Sequence, residues 1–96
     1  MAKTKVLNTF TAGVEKFLEQ NAGISNIIIS NITTGSVTAS VRVRLPAGNA
    51  YLIKDAVIAT GTNLLALDNQ LLQTASSKIT VETNTTAGIE VVYTAL

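Results

Sequence analysis

Residues 36–45 read Ser36-Val-Thr-Ala-Ser-Val-Arg-Val-Arg-Leu45 and alternate apolar with polar side chains without a break. Val37, Ala39, Val41, Val43 and Leu45 fall on one side, and Thr38, Ser40, Arg42 and Arg44 on the other. A period of two is that of a β-strand with one face on a core, since successive side chains point to opposite faces. The stretch therefore predicts a half-buried strand, and it leaves open what the Thr, Ser and Arg face meets.

The same alternation recurs on both sides of it. Ile24–Ile32 reads as a strand, and Thr33-Thr-Gly-Ser36 as the turn of a hairpin into the opening stretch. Pro46-Ala-Gly-Asn49 breaks the pattern, because proline lacks a ladder donor and glycine permits positive φ. Residues 51–58 form the next strand, ended by Ala59-Thr-Gly61. Leu64–Leu67 and Leu71-Leu72 flank Asp68-Asn-Gln70, which predicts a turn with Asp68 in it. Thr74-Ala-Ser-Ser77 leads into a strand over 78–83, and a closing strand over 89–95 places Ile89, Val91 and Tyr93 on one face. Seven or eight short strands, spaced at about 8–12 residues, are the pattern of a small antiparallel β-sandwich, immunoglobulin-like or jelly-roll-like.

Composition agrees. About a third of the 96 residues are Val, Ile or Thr, the branched types that suit a pleated surface. With four aromatic residues and no Trp, the core has to be built from aliphatic side chains. The length suits one domain. We divide it into an N-terminal arm over residues 1–12 and a single sandwich over 13–96. Val6, Leu7 and Phe10 make that arm either an extension or an edge strand needing cover. A short helix competes over residues 14–20, where Val14, Phe17 and Leu18 have i, i+3, i+4 spacing.

Charge and residue types exclude several functions. Seven Lys and Arg against six Asp and Glu leave a net charge of +1, too little for the phosphate contacts on which nucleic-acid binding rests. The absence of Cys and His removes disulfides, thiolate and imidazole metal ligands and the Ser-His-Asp arrangement. The longest apolar run, Ile27-Ile-Ile29, is far short of a membrane span, and Asn8-Thr-Phe-Thr interrupts any signal-peptide core. The expectation is a soluble chain made inside a cell. Acid/base chemistry would fall to Glu15, Glu19, Asp55, Asp68, Glu82 and Glu90. No spacing sets two of them across a cleft, and Asp55 reads as the partner of Lys54 or another nearby cation. Asn31-Ile-Thr33 and Asn84-Thr-Thr86 are glycosylation sequons that matter only in a secreted chain. Gly61 and Gly88 lie in polar turns with no phosphate-binding pattern around them.

Arg42 and Arg44 stand about 7 Å apart on one strand face. Such a pair is either the solvated face of an edge strand, carrying charge to deter pairing, or an inter-subunit contact in which the planar guanidinium takes two hydrogen bonds.

The order of segments resembles a group of small β-sandwich virion proteins of tailed bacteriophages, frequent among marine and cyanobacterial phages. The resemblance is carried by residues 27–43, Ala50-Tyr-Leu-Ile-Lys-Asp-Ala-Val-Ile58, Gly61–Leu67, Leu71–Val81 and Ile89–Ala95. It covers residues 24–95. The chain departs from the group at 72–77, where a Leu-x-x-Gly-Asp turn is replaced by Leu72-Gln-Thr-Ala-Ser-Ser77, and at 13–20, which match its first strand poorly. The resemblance implies a structural virion protein without catalytic function, cofactor or metal. Such a protein is a capsid decoration (cement) protein on the outside of the head, or a neck, tail or fibre component. Its partners would be the major capsid protein, other virion proteins and further copies of itself in a symmetric oligomer, with neither nucleic acid nor membrane involved. It would be assembled in the host bacterial cytoplasm. The contact residues implied are Lys3, Lys5, Val6, Leu7 and Phe10 of the arm, with Arg42 and Arg44. A carbohydrate- or receptor-binding sandwich is the further alternative.

Overall fold

The structure is a computed structural model that describes residues 3–19, 23–45, 48–72 and 78–96, the side chains of 68–72 excepted. Eight strands form it: β1 (Lys3–Leu7), β2 (Lys16–Phe17), β3 (Gly23–Asn31), β4 (Val37–Leu45), β5 (Gly48–Ile58), β6 (Asn63–Leu72), β7 (Lys78–Thr83) and β8 (Ile89–Ala95). They lie in two four-stranded sheets of order β1-β8-β3-β6 and β2-β7-β4-β5. Every pairing is antiparallel. This interleaving, in which successive strands pass from one sheet to the other except at the β4–β5 hairpin, is the order of an eight-stranded jelly roll. It decides between the two sandwich types left open by the sequence.

The core lies between the sheets and is aliphatic. Val37, Ala39 and Val41 of β4 and Ile79 and Val81 of β7 face Ile24, Ile27 and Ile29 of β3 and Ile89, Val91 and Tyr93 of β8. Burying each large aliphatic side chain stabilises the fold by about 1.5–3 kcal/mol. β3 keeps its isoleucines on one face despite their uneven spacing because of Asn26. That residue has φ +56° at an irregularity in the register, so Ile24 and Ile27 both point inward across one extra residue. Asn tolerates this backbone better than most residues.

Several expectations are corrected. The 33–36 segment does not close a hairpin: β3 and β4 belong to different sheets, and the segment crosses between them. The reason lies in Asn31, 1% exposed at the end of β3. Its Nδ2 donates to the carbonyls of Gly35 and Ile58 at 2.8 Å each, and its Oδ1 accepts from Thr33 N at 2.9 Å and Thr33 Oγ1 at 2.6 Å. The side chain thus ties the β3–β4 crossing to the end of β5. The hairpin in this half joins β4 to β5, with Leu45 opposite Gly48. Pro46 and Ala47 of that break lie outside the described residues, as does Thr74–Ser77 before β7.

Asp68-Asn-Gln70 does not turn the chain either. β6 runs through it, and the residues fall where β6 carries one more residue than β3 between the Ile27–Leu67 and Ser25–Gln70 pairs. Turn-forming residues here accommodate a bulge. Residues 14–19 contain no helix: Lys16 and Phe17 pair with Val81 and Thr80, and Leu18 N donates to Ile79 O at 2.9 Å. Alternation governs the segment, since Leu18 is buried while Phe17 is 58% exposed. No helix of the described residues is long and apolar enough to cross a membrane.

Candidate functional site

The N-terminal candidates are built into the sandwich and do not stand off as an arm. Lys3, Lys5, Val6 and Leu7 form β1, paired along its length with β8. Leu7 packs against the core, and Phe10 is inside it at 3% exposure. Lys5 Nζ meets Glu19 Oε2 at 3.2 Å. Of the five, Val6 is the large apolar side chain left bare, at 60%.

Arg42 and Arg44 share the outer face of the second sheet, as their spacing predicts, but β4 is an interior strand between β7 and β5. The edge-strand reading of the pair is therefore replaced. Their acceptor comes from within the chain. Glu15 reaches across β7, with Oε1 2.9 Å from Arg42 Nη1 and 2.9 Å from Thr80 Oγ1, while Oε2 accepts from Arg44 Nη1. The carboxylate neutralises two cations that would otherwise repel, and Thr80 supplies a third bond. Nothing local marks Glu15 for this role, because 27 and 29 residues separate it from the arginines. Only the β2-β7-β4 order brings them together.

A transverse row runs Phe17, Thr80, Arg42, Tyr51 across the four strands. Arg42 donates to the Tyr51 hydroxyl, and its guanidinium carbon lies 4.6 Å from the Tyr51 ring centroid. Lys54 Nζ is 5.4 Å from the same centroid. The Arg42 pKa is raised above its ordinary value, first by the Tyr51 hydrogen bond and then by Glu15, with partial desolvation working the other way. The guanidinium is thus a fixed cation, clamped between a carboxylate and a phenol.

Beside this row an open pocket of about 390 Å³ is lined by Thr38, Ser40, Asp55, Glu82, Thr83 and Asn84, among others. It is the place where the fold gathers two of the sequence's carboxylates. Asp55 is not the partner of Lys54. It sits in a bulge of β5 at φ +50°, where its N–H donates to Ser40 Oγ at 2.8 Å and its Oδ1 accepts from that hydroxyl at 3.3 Å. Among the described residues no three carboxylates converge as metal ligands do. Of the two sequons, Asn31 is buried with its amide fully engaged, and Asn84 Oδ1 accepts from Thr38 N at 3.0 Å.

The class so defined is an eight-stranded jelly roll whose polar outer sheet is braced by ionic and hydroxyl contacts within the chain. No protein-family model, curated protein or solved structure matches it.

Proposed function

We propose that the chain is a structural protein of a tailed-phage particle, a capsid decoration protein that binds the outside of the head and bridges major capsid subunits. The observation that carries this reading is the jelly-roll strand order, an architecture that viral capsid proteins share. The internal use of the polar groups adds to it. Glu15 is spent on two arginines and a threonine, and Asp55 on Ser40, so these groups are held in fixed positions by contacts within the chain. The role needs no catalysis and no cofactor. Its mechanism is mass action: a protein that binds the assembled shell and not the disrupted one raises the shell's apparent stability, and many copies on a lattice add their effects.

A sugar-binding role is less well supported, because the one exposed tyrosine on the outer face already has Arg42 and Lys54 against its ring. The cement role is tested by stripping the protein from particles, or deleting its gene, and measuring rupture on heating or osmotic shock. Rupture at a lower temperature is expected. Unchanged rupture points instead to a neck, tail or fibre position.

A further inference from the structure

All four sheet edges carry features that oppose strand addition. β1 is five residues long with Lys3 and Lys5, and β2 has two residues. β5 and β6 each carry extra residues at two irregularities in register. Bulges, shortness and lysine are the usual guards against edge pairing. Strand addition is thus disfavoured, which leaves the sheet faces as the broad surfaces for a neighbour, and the two faces differ.

The outer face of the β2-β7-β4-β5 sheet carries Arg42, Arg44, Lys54, Asp55, Lys78, Glu15 and Glu82. The outer face of the β1-β8-β3-β6 sheet carries an apolar row across its full width: Val6 opposite Val92, Val92 opposite Ile28, and Ile28 opposite Leu65. Val6 and Leu65, at its ends, are 60% and 52% exposed. One step along the strands lies the pair Ser30 and Glu90, and Glu90 is the one charge on this face among the residues whose side chains are described.

We propose that this face is a homodimer interface, in which two copies pack sheet against sheet about a two-fold axis parallel to the strands. That operation lays β1 over the partner's β6 and β8 over the partner's β3, so Val6 meets Leu65 and Val92 meets Ile28. It also sets each Glu90 carboxylate over a Ser30 hydroxyl, which can donate to it, so the two carboxylates do not face each other. An isologous contact of this kind has to be self-complementary, and the row and its flanking pair are. Four strands about 4.8 Å apart and about 24 Å long present roughly 460 Å² per copy, so two copies bury about 900 Å², the size of a weak, transient interface. The inference gives a surface to the self-association in the virion reading but concerns the isolated chain. A monomer would overturn it and leave attachment to the head untouched.

The test is sedimentation equilibrium of the full chain. The mass is expected to rise toward twice that of the chain between about 1 and 300 µM, as suits a small interface. Val92→Lys and the half-exposed Leu65→Lys are expected to remain monomeric, with native circular dichroism. Val57→Lys, on the other sheet at a residue 69% exposed, is expected to keep the dimer. Since the chain has no cysteine, mixing Val6→Cys with Leu65→Cys chains under mild oxidation should give the mixed disulfide in preference to either homodimer. A wild-type monomer throughout, dimers that survive both lysines on the row, or no preference for the mixed disulfide would each overturn the proposal.

Discussion

Replacing Asn31 by alanine tests the tie between the β3–β4 crossing and the end of β5. The side chain makes four hydrogen bonds, and their loss is unequal. The Thr33 hydroxyl, whose one proton lies between Asn31 Oδ1 and the Gly35 carbonyl, can turn wholly to that carbonyl at 2.7 Å, so Gly35 stays satisfied. The Ile58 carbonyl loses its side-chain donor in a buried setting, and Thr33 N loses its acceptor at a half-buried one. An unsatisfied buried group costs about 1–3 kcal/mol, so the substitution should cost about 3 kcal/mol. In a domain of this length that corresponds to a fall in Tm of roughly 12–24 °C, read by circular dichroism, with the same loss in urea at unchanged m-value. Asn31→Asp should be worse at neutral pH, because it sets a carboxylate against two carbonyls, and it should recover as acid protonates the new group. Asn84→Ala, which loses one exposed bond to Thr38 N, should cost under about 1 kcal/mol. An Asn31→Ala protein within about 0.5 kcal/mol of wild type would mean that these bonds do not hold the crossing, since no desolvated carbonyl is that cheap.

Gly88 has φ +84°, and a Cβ there would lie 2.2 Å from Thr33 Cγ2, so Gly88→Ala should destabilise strongly. In a Thr33→Ser background the clash is gone, and only the left-handed strain of about 1–2 kcal/mol should remain, as in Gly61→Ala, whose Cβ would meet open space. Thermal melts of the four variants check this cycle. The Tyr93 pKa is raised by burial, partly offset by the Glu19 N–H that bonds its hydroxyl at 2.9 Å. A raised value favours the fold while the phenol is protonated, so that contribution is complete below about pH 10, the unfolded value, and is lost as pH rises through the folded value. Absorbance at 295 nm in Tyr51→Phe protein should show titration above the ordinary phenol range, coupled to alkaline unfolding. Glu15→Ala leaves Arg42, Arg44 and Thr80 without their shared acceptor, so its Tm should fall, and it should fall less when Arg44→Ala is added. Additive effects in that pair would contradict the brace.

Strands were legible wherever one face is buried and the other is not. Residues 78–83 carry strict alternation and residues 89–95 place Ile89, Val91 and Tyr93 on one face, and β7 and β8 have those bounds. Periodicity says nothing, however, of which sheet a strand joins. That is why the 33–36 turn read as a hairpin and β4 as an edge. One signal for the crossing was present: Asn31 two residues before Thr33 has the spacing of an Asx-turn, in which the side-chain oxygen accepts the N–H two residues on. Asp68-Asn-Gln70 misled because the residues that favour turns also favour bulges. The brace was half legible. Arg42 and Arg44 announced themselves by sharing a strand face, whereas Glu15 depends on the long-range order of three strands.

The proposed role makes this jelly roll a building part attached to the outside of a phage head. An electron-microscopic reconstruction of the native particle, with the chain fitted to its density, tests this role. Copies seated on the outer surface at the boundaries between major capsid subunits are the predicted result. Particles that lack the chain, or that carry it only at the neck or tail, would contradict it.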